Sequence, residues 1–236
     1  MVSKPFTRVL ICLAVLALIG VSALAVGSKS QFLTTNDGRM AIATHPPQHI
    51  TPSNQDDAKL TKIGGNLSTY PFATYFCCYG NTIAEGGSSF PFQTWVAVAF
   101  TPTADATVTK VEASVGTFGG ASGFELSIHA DNGGVPGKVM KSFHIPTPPT
   151  YGDCCTVDTG TSAAGIPVSA NTQYWVVAST TAKDTNFLGG WAFNSTDMRA
   201  HTAASWCQGS STYCGTNSGK WVAFSGLLPG FAVLGH

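Results

Sequence analysis

Gln173-Tyr174-Trp175-Val176-Val177-Ala178-Ser179-Thr180 is the stretch on which the fold turns. Tyr174, Val176 and Ala178 fall on one parity and Trp175 and Val177 on the other, so both faces of an extended segment here are apolar. β-branched and aromatic residues dominate it, and it is too short for a helix that buries itself; it reads as a central strand covered on both sides. Working outward, Phe124, Leu126 and Ile128 alternate with Glu125, Ser127 and His129, and Val111, Ala113 and Val115 alternate with Lys110, Glu112 and Ser114. That period of two marks strands with one wet face. The two segments are expected to be neighbours joined at Gly119-Gly120. Further strands are expected at residues 95–101, closed by Pro102, and at 139–145, 191–194, 221–225 and 231–234. Gly, Pro and Asn punctuate these runs, and no heptad, internal repeat or long amphipathic helix interrupts them. The expected fold is all-β: an antiparallel sandwich of jelly-roll type with eight or nine short strands, stapled by disulfides.

The N-terminus fixes the compartment. Lys4 and Arg8 precede an apolar run over residues 9–26 that ends in Ala23-Leu24-Ala25, the layout of a secretory signal peptide cut before Val26. A run of this length also matches an uncleaved membrane anchor, so residues 1–25 are read as signal peptide or N-terminal anchor. Residues 26–58 lack a sustained period and contain His45-Pro46-Pro47 and Thr51-Pro52-Ser53-Asn54; they are expected to be a flexible linker ahead of a sandwich domain over 59–236. The expected location is secreted or at the cell surface.

Only 10% of residues are charged, and formal net charge is zero. No basic footprint for nucleic acid is present. Six cysteines remain once Cys12 leaves with the signal: Cys77, Cys78, Cys154, Cys155, Cys207 and Cys214. An even count in an exported chain reads as disulfides. Adjacent Cys-Cys pairs lack the gap that aims two thiolates at one zinc ion, so no metal site is expected from them. Cys207 and Cys214 enclose a short Gly- and Ser-rich loop and are expected to bond to each other. The remaining four pair either within each doublet or, as slightly favoured, between the Cys77-Cys78 and Cys154-Cys155 regions, because bonding adjacent residues strains the intervening peptide.

Three segments carry a family resemblance: residues 97–108 (AVAFTPTADATV), 128–137 (IHADNGGVPG) and 171–177 (NTQYWVV). Together they resemble the choice-of-anchor family of bacterial extracellular domains, the R type most closely, over roughly residues 65–234. The resemblance implies a surface or secreted β-sandwich beside an anchoring segment. The chain departs from that pattern at Phe231-Ala232-Val233-Leu234-Gly235-His236, which has neither an apolar span nor a basic tail, so any anchor would be the N-terminal segment.

Trp206 and Tyr213, in or beside the Cys207–Cys214 loop, and Trp191 are the ligand-binding candidates, because exposed rings among hydroxyls and amides stack on sugar faces. Trp95, Trp175 and Trp221 are expected in the core, where aromatics supply much of the buried area. Asp131-Asn132-Gly133-Gly134 offers oxygens to calcium, but a tight turn demands the same residues, and EF-hand spacing is missing. Asp153 and Asp158, flanking the second cysteine pair, are the other carboxylates that folding would have to bring to such a site. No cofactor is expected, calcium being the one alternative. No Gly-x-Ser-x-Gly elbow, His-Glu-x-x-His helix or phosphate loop occurs. His129 and His144, on alternating strands near Ser and acidic groups, are the residues a catalytic reading would use. Asn66-Leu67-Ser68 and Asn194-Ser195-Thr196 fit the glycosylation pattern. The expectation is a noncatalytic module for attachment, protein contact or glycan binding. Its partners would be a glycan or cell-surface protein, and its rival a secreted hydrolase on the same scaffold.

Overall fold

The computed structural model describes residues 32–34, 40–43, 60–67, 75–86, 91–119, 123–151, 157–181, 183–184, 186–194, 203–210, 214–224 and 227–236. In chain order the strands are β1 (Phe32–Thr34), β2 (Met40–Ala43), β3 (Thr61–Gly65), β4 (Tyr75–Ala84), β5 (Gln93–Phe100), β6 (Ala106–Ala113), β7 (Val115–Gly119) and β8 (Phe124–Asp131). There follow β9 (Pro136–Ile145), β10 (Asp158–Val168), β11 (Tyr174–Ser179), β12 (Leu188–Asn194), β13 (Ala203–Gln208), β14 (Lys220–Phe224) and β15 (Phe231–Gly235). They form an antiparallel sandwich, as expected of the fold class, with an 11-stranded sheet facing a 4-stranded one.

The larger sheet runs β1-β2-β4-β5-β11-β8-β9, with β13 on the other side of β5, β14 beyond it, and β12 bridging β4 and β7. The smaller sheet has the order β10-β6-β15-β3. As the apolar parity on both faces requires, β11 is central: it pairs with β5 through Val176↔Val98 and with β8 through Val176↔Ile128. Between the sheets, Val96, Val98 and Phe100 of β5, Leu126 and Ile128 of β8 and Val176 of β11 meet Val108 and Val111 of β6, Ile166 of β10 and Phe231 and Val233 of β15. Removing this apolar area from water is the main force holding the sheets together.

Several local expectations fail for identifiable reasons. The 111–115 and 124–129 segments are not neighbours. The first ends at Ser114, where the chain crosses between sheets: β6 pairs with β10 and β15, while β7 pairs with β12, and β8 pairs with β11 and β9. The Ser114 hydroxyl lies 3.0 Å from the Ala192 carbonyl and 3.1 Å from that of Gly230, so side-chain bonding supports the crossing. The strand count rises to fifteen among the described residues. Part of the rise is β10, where no strand is expected from the sequence; Gly160 and Pro167 stay in register with β6, and the shift between Thr161 and Ile166 takes up Gly165. Part comes from β1 and β2, inside the stretch read as a linker, which pair with each other and onto β4 through Met40↔Asn81 and Ile42↔Tyr79. Backbone pairing with an available sheet edge needs no apolar periodicity, which is why pattern reading misses it.

No helix among the described residues is long and apolar enough to cross a membrane. The 9–26 segment, Cys154, Cys155, Asp153 and Tyr213 lie outside the described residues, as do the side chains of Cys77 and Cys78. The expected doublet pairing therefore lies outside them too.

Candidate ligand-binding face

The outer side of the larger sheet is built by register. Trp206 of β13 stands directly opposite Trp95 of β5 on one side and Trp221 of β14 on the other. Opposed residues on adjacent antiparallel strands project to the same face with their Cβ atoms about 5 Å apart. Three tryptophans distant in sequence thus form one row. The Trp95 and Trp206 rings stack at 3.9 Å and 14°, and Trp221 tilts against Trp95 at 6.4 Å and 45°. Each is only partly buried. The Trp95 Nε1–H donates to Thr180 Oγ1 at 2.9 Å, which fixes the ring. Beneath and beside the row, Ala97, Ala99, Val177, Ala204 and the fully buried Trp175 form a second apolar cluster, against which Trp221 packs.

The sequence-chosen residues divide. Trp206 is on this face and partly exposed. Trp191 is corrected: at 0% exposure it belongs to the inter-sheet core, and its Nε1–H is used by the Gly230 carbonyl at 2.8 Å. It has no free face for a ligand. Trp95 and Trp221, expected in the core, stand on the outer face instead, because Val96 and Val222 occupy the opposite parity and the inner positions of β5 are Val96 and Val98. Trp175 is fully buried, as expected, but in the outer cluster. Only strand register brings the three indoles together, and single-strand patterning cannot supply it.

The expected Cys207–Cys214 disulfide is formed. It lies immediately beside Trp206 and packs among Ala84, Phe92 and Leu188. The β13–β14 connection is closed further by Gly219 N–H donating to the Cys207 carbonyl at 2.7 Å and by the Ser218 hydroxyl bonding the Gly209 carbonyl at 3.1 Å. The hairpin that carries Trp206 and Trp221 is thereby covalently clamped at its end.

Elsewhere on the face, the Asp131 carboxylate is engaged by the protein. Its Oδ1 accepts from Trp175 Nε1 and Gln173 Nε2, both at 2.7 Å, and Gly134 N–H bonds the same carboxylate at 3.1 Å. Gly133 and Gly134 both take positive φ. Burial works against ionisation of Asp131, but the hydrogen bonds from Trp175, Gly134, Gln173 and Gly133 outweigh it and hold the carboxyl below its ordinary range. The loop has the geometry of a carboxylate-braced turn.

His129 donates through Nδ1 to the Gly137 carbonyl at 3.0 Å, since a carbonyl can only accept; its Nε2 therefore receives the Ser127 hydroxyl proton at 2.9 Å. Desolvation lowers the His129 pKa from its ordinary value, and the Gly137 bond, which favours the protonated ring, offsets part of that shift. This is the contact a serine nucleophile needs from its base. However, Ser127 is only 2% exposed, and the position of an orienting carboxylate is taken by a backbone carbonyl.

Both sequon asparagines are consumed by the fold. Asn66 Nδ2 donates to the Pro229 carbonyl and its Oδ1 accepts from Phe231 N–H, while Asn194 Nδ2 donates to the Asn66 carbonyl.

These features define a class: an all-β sandwich whose larger sheet carries a disulfide-clamped tryptophan cluster on its outer side. Comparison of the chain with protein-family models, curated proteins and solved structures finds no match.

Proposed function

We propose that this protein is a noncatalytic, exported β-sandwich module that binds glycans through the Trp95, Trp206 and Trp221 cluster. The observation that carries the reading is the in-register tryptophan row, partly exposed and braced by the Cys207–Cys214 bond. Aromatic area that is held in place costs little ordering entropy on binding, and its apolar faces match the C–H faces of sugars. The signal-like N-terminus, the low charge and the resemblance to choice-of-anchor domains support placement outside the cell or on its surface. Mass spectrometry of exported protein should find Val26 at or near the N-terminus; intact Met1 in a membrane fraction would establish an anchored form instead.

A glycan-array screen of the exported protein, run with calcium and with chelator, tests the reading. Binding to a defined set of glycans in both conditions supports it. Binding lost with chelator and restored by calcium alone would make calcium part of the ligand site, and no binding in either condition would remove the glycan proposal. A hydrolase is the second reading, favoured only by the Ser127–His129 hydrogen bond. Covalent labelling of Ser127 by a fluorophosphonate probe would establish it, and the 2% exposure of Ser127 leads us to expect none.

A further inference from the structure

We propose that Glu125, His144 and Asp184 form a binding site for a zinc-class divalent cation, independent of the glycan reading. Glu125 of β8 and His144 of β9 are register partners, so both project to the outer face. Asp184 approaches from the turn after β11. His144 Nδ1 lies 3.1 Å from Glu125 Oε1 and 3.7 Å from Asp184 Oδ1, and one donor atom from each residue falls within 4.8 Å of the other two. With bonds of about 2.1 Å in a tetrahedral site, adjacent zinc ligands stand roughly 3.4 Å apart. The two His144 separations bracket that spacing.

The decisive feature is the Asp184 side chain. It is 0% exposed, and its two oxygens have different fates. Oδ2 accepts from Thr181 N–H at 2.7 Å and from Thr181 Oγ1–H at 2.9 Å, which pins the carboxylate in its turn. Oδ1 has no hydrogen-bond partner among the described residues and lies toward His144. A buried carboxylate oxygen left without a hydrogen bond is costly, and a cation there would satisfy it. Asp184 is thus a preset ligand, while the partly exposed Glu125 and the 46%-exposed His144 side chain can turn toward it to complete the set.

The donor set selects the metal. One imidazole nitrogen with two carboxylates suits zinc and related transition cations, whereas calcium and magnesium prefer oxygen alone. Three protein ligands leave a fourth position, open on the His144 side, for water or an oxygen of an incoming molecule. Coordination requires the His144 Nδ1 lone pair, so the Nδ1 proton now available to Glu125 must leave or move to Nε2, and binding weakens in acid.

The test is calorimetric titration of the chelator-stripped, exported protein with zinc chloride, in parallel with its melting temperature. One zinc per chain, a raised melting temperature, and no saturable response to calcium or magnesium are expected. The exposed His144→Ala change should leave the fold intact yet weaken zinc by at least the roughly 10–100-fold that outer-shell changes typically cost. Glu125→Gln should act in the same direction. Should Asp184→Asn fail to fold, the His144 variant still decides. Absence of saturable zinc binding, or binding unchanged by His144→Ala, would overturn the site; the latter would place the metal on other histidines or on the cysteines.

Discussion

At the residue scale, the side chains with most at stake are carboxylates whose surroundings split their behaviour. Asp131 is held ionised by four donors, whereas Asp158 is 6% exposed, has an Oδ2 with no partner among the described residues, and is pushed well above the carboxylate range by desolvation. The sign of the linkage follows from proton counts. Above the unfolded pKa near 3.9 the folded state still holds the Asp158 proton and the unfolded chain does not, so stability declines as pH rises through that window. Replacing Asp158 with Asn keeps the shape and removes the titration. The variant's stability, followed by chemical denaturation between pH 4 and pH 8, should lose that decline and exceed the parent's at the alkaline end. A parent and variant with parallel profiles would show that Asp158 ionises freely in the fold.

At the scale of elements, the β8–β9 turn and the β13–β14 hairpin give opposite tests. The turn is complete without metal: Asp131 already receives Trp175, Gln173 and Gly134. Its melting behaviour should therefore be indifferent to calcium, whereas a calcium-dependent rise abolished by Asp131→Ala would mark a binding loop, since a ligand specific to the folded state must stabilise it. The hairpin depends on its clamp. The two cysteines are only seven positions apart, so replacing both with Ser should cost about 2 kcal/mol in denaturation experiments and increase the solvent accessibility of Trp206. An unchanged stability would mean that the Gly219–Cys207 and Ser218–Gly209 bonds suffice. Legibility in the sequence follows the same division. The central position of β11, the alternation in β8 and the Cys207–Cys214 bond were readable because each is written in neighbouring residues. The Ser114 crossing, the edge pairing of β2 and the inner or outer sense of Trp95, Trp191 and Trp221 depend on which strand lies alongside, which no local pattern carries. Asp184 was invisible for a related reason: Thr181-x-x-Asp184 signals a self-bonded turn, and nothing in it says that the second oxygen faces His144.

At the scale of the whole molecule, the sandwich separates two jobs. The face between the sheets carries the aliphatic core and buries Trp191, while the outer face of the larger sheet gathers the remaining tryptophans and the Glu125, His144 and Asp184 cluster. Loss of Trp191 should therefore act on stability and loss of Trp206 on recognition, because Trp206, unlike the fully buried Trp191, combines partial exposure with the central place in the row. The most direct test is a fluorescence titration of exported protein with the strongest glycan from the array, repeated for a Trp206→Ala variant of equal melting temperature. The account predicts a saturable change in tryptophan emission for the parent and loss of binding by at least tenfold in the variant, about 1.4 kcal/mol in affinity. Equal affinity of parent and variant would contradict the assignment of the tryptophan row as the binding face.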